Sequence, residues 1–295
     1  MAKHPGPVLV TGANSGIGLA AVLRFAQRGW ETWGTVRSDE KAEVLREAAR
    51  KAHVQEFVRP LVLDVADDAA VTAAFVDLPD FYAVVNNAGY AEVGAIEEVT
   101  AREARAQLDI NLVAPAIVSS CALPGMRRLG GGRIVMVSSA AGRASLMPLN
   151  GWYHASKFGL EALSDVLRME VAGFGIRVSI VEPGFFKTGI TGAARDRAEA
   201  RRDRESIYGS AYERTASLTD AILRLSPEPD AVARTIVAAV ESRNPQRRYL
   251  VGLDAVASVI TSAVVPRGII DATARFVSDL GAGPARPPAI RARTE

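Results

Sequence analysis

The sequence predicts an α/β fold built on a single doubly wound parallel sheet of about seven strands, with helices on both faces. Two observations carry that prediction. Short β-branched runs alternate along the chain with longer stretches of helical period, and the polar and glycine-rich motifs fall where those runs end. Such a sheet binds its ligands at the carboxyl ends of its strands.

The elements follow in order. PVLVTG (7–12) reads as the first strand, and Gly16 to Gly29 as a helix with Leu19, Leu23 and Ala26 on one face. Further strands are expected at 31–36, 57–63 and 81–86. Between them lie two crossover helices: 39–52, rich in Ala, Glu and Lys, and 67–77, where Asp67 can cap and Val71, Ala74 and Phe75 form an apolar stripe. Thr100 with Glu103 makes a capping box, opening a long helix through Leu108, Leu112 and Val118 that stops before the glycines at 130–132. RIVMVSS (133–139) reads as the fifth strand. A helix from Trp152 then carries Leu160, Leu163, Leu167 and Val171 on one face, and IRVSIVEPG (176–184) forms the sixth strand.

After Thr188 the chain leaves the sheet. ARDRAEARRDRE (194–205) is densely charged and reads as a solvated helix face, within an excursion of about 189–225 that borders a substrate pocket. Pro227 to Ser242 is expected to return as a helix and RYLVGL (248–253) as a seventh strand. Pro266 and Gly268 divide the apolar stretch 256–277, so about 255–280 reads as capping helices. One domain is expected over 1–281, with a disordered tail at 282–295.

Composition narrows the function classes. A chain of 295 residues, 48% hydrophobic and 23% charged, can bury a large core. A formal charge of +2 argues against a nucleic-acid or anionic-membrane binder. Cys121 stands alone, so there is no disulfide framework and no cysteine spacing for zinc. MAKHPGPVLVTG is too broken by glycine and proline for a signal-peptide core, and no uninterrupted apolar run of spanning length follows. A soluble, cytoplasmic protein with no transmembrane segment is the expectation.

TGANSGIG (11–18) sits where the first strand meets the first helix. Its glycines permit a tight turn and close backbone approach, and the helix N-terminus offers unpaired N–H groups to a pyrophosphate. Asp64 closes the third strand, NNAG (86–89) the fourth and Ser138-Ser139 the fifth, while Asn111 lies within the long helix. YHASK (153–157) adds Tyr153 and Lys157, which at i and i+4 share one helix face.

With TGANSGIG, Asp64-Val65, NNAG, Asn111, the Ser139 region, YHASK and EPGFFKT (182–188) in order, the sequence resembles the short-chain dehydrogenase/reductase family over about residues 7–190, and more faintly to about 253. VRS after the second strand and the C-terminal tract are similar to the branch containing 17β-hydroxysteroid and retinol dehydrogenases. The resemblance implies a Rossmann-like fold and an oxidoreductase that moves hydride between nicotinamide and a carbonyl or secondary alcohol. It also implies a homodimer or homotetramer pairing through 100–128 and 152–173.

A phenol with a pKa of about 10 is a poor base near neutrality, and a nearby ammonium would lower that value. The resemblance assigns Tyr153 proton exchange with the substrate oxygen, Lys157 the nicotinamide ribose, Ser139 the substrate oxygen and Asn111 a lysine-linked water relay. Family spacing counted back from Tyr153 falls on Ala140, and Ser138 is adjacent; Ser139 is preferred because VSSAAG matches the strand end. Only five of the 35 basic residues are lysines, yet one stands at 157, where a compact charge suits the chemistry. The same resemblance gives the cofactor Gly12, Asn14, Ser15, Gly16, Ile17 and Gly18 in the turn, Asp64 and Val65 near the adenine, Asn87, Ala88 and Gly89 near the ribose, and Pro183, Gly184 and Thr188 at the nicotinamide end.

At the end of the second strand, WGTVRSD presents Arg37 where a carboxylate would hold the ribose hydroxyls of NAD(H). NADP(H) is therefore preferred, with NAD(H) as the alternative. Leu146, Met147, Leu149, Phe185, Phe186 and Ile190 point to an apolar substrate, steroid-, retinoid- or lipid-like. His154 is turned about 100° from Tyr153 on a helix and is not taken as a base. Cys121 reads as a small core residue, and Trp30 and Trp33 as packing for the second strand. A dinucleotide-binding regulator without turnover is the rival of another class; a hydrolase lacks its G-x-S-x-G elbow.

Overall fold

The computed structural model describes residues 4–202 and 206–280. Seven parallel strands run in the order β3-β2-β1-β4-β5-β6-β7. They are β1 (Val8–Val10), β2 (Thr32–Val36), β3 (Val58–Val62), β4 (Ala83–Asn86), β5 (Gly132–Val137), β6 (Ile176–Pro183) and β7 (Arg248–Val251). The order reverses between β1 and β4, and that seam is where an open α/β sheet offers a crevice. Val8 pairs with both Thr32 and Ala83, which brings the carboxyl ends of β1, β2 and β4 level.

Alternation along the strands divides the core between two faces. Val8, Val10, Val85, Val135 and Val137 pack beneath α1 (Gly16–Gln27), α2 (Asp39–Lys51) and α9 (Asp230–Glu241). Leu9, Val84, Ile134 and Met136 face α3 (Asp68–Asp77), α5 (Ala114–Arg128) and α6 (Gly151–Val171). Both faces of the central strands are covered, which is why they read as continuous apolar runs. Trp30 stacks between His4 and Tyr82, and Trp33 meets the edge of Phe81.

The caps behave as the sequence predicts. Asp67 accepts from Ala70 N at 2.9 Å, and Thr100 and Glu103 form both halves of their capping box. The helix they open is not uniform, however. α4 (Ala101–Leu108) passes into a π turn at Asp109–Val113 before α5 begins, and Asn111 lies inside that turn. The full column Ala101–Arg128 is long and apolar enough to cross a bilayer. In this fold Ala114, Val118, Ala122 and Met126 instead close the core.

The excursion forms two helices, α7 (Gly189–Arg202) and α8 (Gly209–Leu225). The charged run is not simply a solvated face. Arg201 is 6% exposed and donates to Glu92 at 2.9 Å and to the carbonyls of Val93 and Glu98, with Glu103 at 3.1 Å. Its guanidinium satisfies backbone and carboxylate acceptors that this fold buries, so a residue drawn from a polar run becomes a clamp. The expected capping helices are α10 (Leu253–Val264) and α11 (Arg267–Val277), parted at Pro266. The expected tail at 282–295 lies outside the described residues.

Candidate active site

The glycine turn meets the seam between β1 and β4. Gly12 has φ +67°, and a Cβ there would stand 3.0 Å from Ala88 Cα. At Gly18 a Cβ would stand 2.2 Å from the Gly12 carbonyl oxygen and 2.5 Å from Asn87 Nδ2, so only glycine fits. Ser15 holds the N-cap position of α1 without a side-chain capping bond, and the first turn carries no acid. Its leading amides therefore keep their capacity for an anion. Asn14 and Ile17 flank this turn, and Thr188, after β6, closes on Gly16.

Thr11, which the sequence reading did not single out, ties the two strand ends together. Its hydroxyl accepts from Asn87 N at 3.0 Å and Ala88 N at 2.9 Å, while Asn87 Nδ2 returns to the Thr11 carbonyl at 2.9 Å. A hydroxyl at the end of a first strand gives little signal among other turn formers. Beyond it, Gly89 lies between Asn111 and Lys157: a Cβ there would be 3.0 Å from Asn111 Oδ1 and 3.8 Å from Lys157 Nζ. Fully buried, Asn111 uses its amide on the backbone of Tyr90, donating to O at 2.9 Å and accepting from N at 3.0 Å, and donates to Ser156 Oγ at 3.0 Å. Its side chain fixes the loop after β4, and the π turn sets it there.

Ser139, Tyr153 and Lys157 converge from β5 and α6. The Ser139 hydroxyl donates to the Pro183 carbonyl at 3.4 Å and accepts from Ala141 N at 3.1 Å, on the side of the site where the Tyr153 phenol lies. By contrast Ser138 Oγ is buried without a partner, and Ala140 begins a short 3₁₀ turn. Lys157, 5% exposed, donates to the Val137 carbonyl at 3.0 Å. Burial pulls its pKa down to about 8, with the charge of Glu161 opposing. The Tyr153 phenol, in turn, is raised by burial, and the Ser139 hydroxyl beside it only partly offsets this. Here the expectation of a lysine-depressed phenol is not met, because Nζ is aimed at Val137 rather than at the hydroxyl.

Above these groups lies a cavity of about 210 Å³. Apolar side chains make most of its wall: Val93, Leu146, Met147, Phe185, Phe186 and Ala198 among them. Leu149, expected to line it, does not. Its backbone is left-handed at φ 64°, and its side chain packs into the small core with Val93, Ala198 and Tyr212. The side chain of Ile190 lies outside the described residues. Two lining residues were not taken as site residues from the sequence: His154 was set aside as a base, and Asp254 was not singled out. His154 is 8% exposed with Nδ1 2.8 Å from the Ala141 carbonyl, and burial lowers its pKa. Asp254, from α10, accepts from Phe185 N at 2.6 Å and fills the space a side chain at Gly184 would need, fixing the loop that follows Pro183.

The remaining predicted positions lie along the same edge. Arg37 is exposed directly after β2, and Ser38 beside it caps α2 by accepting from Lys41 N. Asp64 follows β3 and accepts from Ala66 N at 3.0 Å, with Val65 buried next to it. Among the described residues no cluster of His, Cys, Asp or Glu could hold a metal. The residues present along this edge are of a kind that could hold a dinucleotide: the α1 amides and the Gly12–Gly18 cradle suit a pyrophosphate, with Asp64 and Val65 at one end of the edge and Lys157 and Thr188 at the other.

Comparison with known proteins agrees. A short chain dehydrogenase family model matches residues 7–199. Human retinol dehydrogenase 5 is 33% identical over 288 residues, covering 92% of this chain and 88% of that protein. An NADPH-dependent 3-dehydrocapnine reductase of Ornithobacterium rhinotracheale is 30% identical over 253 residues, covering 82% and 87%. Among solved structures, a short-chain dehydrogenase from Streptomyces avermitilis superposes with a TM-score of 0.71 at 28% identity, covering 96% of this chain and all of that one. The chain belongs to the short-chain dehydrogenase/reductase family, and is an oxidoreductase of alcohols and carbonyls that binds a nicotinamide dinucleotide.

Proposed function

We propose that the protein is an NADP(H)-dependent oxidoreductase that interconverts a carbonyl and a secondary alcohol on an apolar, steroid-, retinoid- or lipid-like substrate. One observation carries this reading: Ser139, Tyr153 and Lys157 meet beneath an apolar cavity that opens beside the glycine turn. Bound nicotinamide supplies or accepts the hydride. The chain's own residues handle the oxygen and its proton. Ser139 holds the substrate oxygen against Tyr153; in reduction the phenol gives it a proton, and in oxidation the phenolate takes one back. Lys157 binds the ribose and, as an ammonium, favours the phenolate when one forms. Asn111 keeps the loop after β4 seated against Lys157 and so supports the family's proton relay by position.

Arg37 supports the NADP(H) preference, since it stands exposed directly after β2, where a 2′-phosphate would lie. An NADPH-dependent relative agrees with this. The apolar walls support the substrate class, as does likeness to a retinol dehydrogenase. Exposed Phe158, Val166 and Met169 on α6 support a homodimer or homotetramer formed through that face. A cytoplasmic single-domain enzyme over 1–281 completes the reading. The test is a panel of apolar ketones, aldehydes and alcohols assayed with NADPH/NADP and NADH/NAD. Turnover with a preference for the phosphorylated cofactor is expected. Equal use of both cofactors overturns the Arg37 argument, and no turnover with any compound removes the apolar-substrate reading.

A further inference from the structure

Behind the active site, on the side of Lys157 away from the cavity, lies a group of charges that the reaction as described does not use. Glu161, one helical turn beyond Lys157 on α6, is 6% exposed, and Glu182 on β6 is wholly buried. Both face the same nitrogen. Arg248 Nε on β7 donates to Glu161 Oε2 at 3.1 Å and stands 3.0 Å from Glu182 Oε1. One N–H satisfies one acceptor, and it is directed at Glu161. Glu161 Oε1 and both oxygens of Glu182 are left buried with no hydrogen-bond partner.

Other charged groups around the pair do not relieve this. Arg248 Nη2 donates to Asp165 at 2.6 Å and stands 3.1 Å from Glu161 Oε2, so its second nitrogen serves Glu161 and not Glu182, and Asp165 also accepts from Arg168 at 2.6 Å. Arg143, after the short turn that follows β5, is 3.5 Å from Glu182 Oε2 and 40% exposed, so solvent weakens its hold. Two carboxylates held against one guanidinium nitrogen, in a site closed to water, cannot both carry charge cheaply. A carboxylic acid can donate, and its O–H would use an oxygen that is otherwise stranded.

We propose that Glu161 and Glu182 hold one proton between them, carried on Glu182, and that the charge kept on Glu161 is what maintains Lys157 as an ammonium. Glu161 is then a positioning residue for the reaction, acting through Lys157 and touching neither substrate nor cofactor. Lys157 meets the Tyr153 ring on its own helix and the Val137 carbonyl from β5, with Glu161 one turn along α6 and Glu182, Arg143 and Arg248 gathered around the two carboxyls. Of the two acids, Glu161 has the guanidinium at Oε2 to support its charge, whereas neither oxygen of Glu182 has a hydrogen-bond partner. Burial also drives Glu182 well above the usual carboxylate range, with the charge of Glu161 adding to it.

This inference rests on the Tyr153–Lys157 reading, and its tests need no substrate. The chain has five lysines, so the titration of each can be followed by NMR in protein labelled with ¹³C at lysine Cε, with Lys157 assigned by its loss in Lys157→Arg. Glu161→Gln is expected to lower the Lys157 midpoint by about one pH unit, the lower end of what one nearby opposite charge supplies. Glu182→Gln, which replaces an already neutral acid, is expected to leave it where it is. An unchanged midpoint in Glu161→Gln, or a lowered one in Glu182→Gln, overturns the proposal. Infrared difference spectra between wild type and Glu182→Gln at neutral pH test the shared proton even where Glu161→Gln does not fold. A protonated-carboxyl band lost in the variant is expected; its absence from wild type overturns the proposal. Both results without turnover on any compound would count against the substrate reading alone.

Discussion

The Lys157 ammonium lies 5.9 Å from the centre of the Tyr153 ring and is directed at the carbonyl of Val137. The pair is thus assembled without being engaged: lysine is anchored to β5, and the phenol faces the cavity beside Ser139. Burial works against charge on both, so the site favours neutral phenol and a lysine close to deprotonation.

This has a pH consequence. With Lys157 at about 8 in the fold against an ordinary value of 10.5, the unfolded chain binds a proton between those limits that the folded chain has released. The stability contribution of this site therefore rises with pH across that window. Denaturant midpoints at pH 8 and pH 10 should show wild type gaining relative to Lys157→Met. Cofactor affinity should move the other way, weakening by up to about tenfold per pH unit once the ammonium is lost.

Arg37→Ser should reverse or flatten the cofactor preference. Charge-assisted hydrogen bonds to a phosphate are worth about 1.5–3 kcal/mol, so the ratio of kcat/KM for NADPH over NADH should fall about 10- to 100-fold. An unchanged ratio would mean Arg37 does not reach the 2′ position.

Arg201 predicts a stability effect remote from the chemistry. Removing one member of a buried pair strands the other, at a cost of about 3–5 kcal/mol. Arg201→Met should lose about that much in urea unfolding. Burial opposes the charge on Glu103, but the Thr100 backbone and hydroxyl and Arg201 together outweigh it and hold the carboxyl at about 2. Its stabilising contribution is complete above about 4.5 and is lost as pH falls toward 2; without Arg201 the folded-state carboxyl sits closer to its ordinary value, so the variant should lose less stability than wild type across that window.

Gly18→Ala should remove cofactor binding. The added carbon would stand 2.2 Å from the Gly12 carbonyl oxygen, and backbone there cannot give way without opening the turn. Loss of dinucleotide binding in a calorimetric titration is expected, together with a stability loss of about 1–3 kcal/mol. Normal binding would show that the turn is not the pyrophosphate cradle.

Nearly every strand and helix was legible in the sequence, since Val8 to Val10 and Ile134 to Val137 are short apolar, β-branched runs and the 3.6 period is written along Leu160 to Val171. Thr100 and Asp67 announced their helices through capping chemistry that acts within three residues. What could not be read depended on contacts distant in the chain. The burial of Arg201 needs Glu92 and Glu103, about a hundred residues away. Asp254 matters because α10 folds back onto the loop after β6, and no local pattern marks it. The π turn at Asn111 is likewise invisible to a helical period, which it interrupts without ending. Leu149 looked like pocket lining from its apolar neighbours, and its left-handed backbone turned it into the core. Ser139 was legible only as one of three candidates, until the fold brought its hydroxyl to Tyr153.

The central claim is that the Tyr153 hydroxyl carries the proton of the redox step. It is tested most directly with Tyr153→Phe, by measuring NADPH consumption on an apolar ketone beside NADPH binding by fluorescence. The account predicts binding within about twofold of wild type and a fall in kcat of at least about 10²-fold, the size of a lost general acid. Retained turnover in the variant, with binding intact, would contradict it.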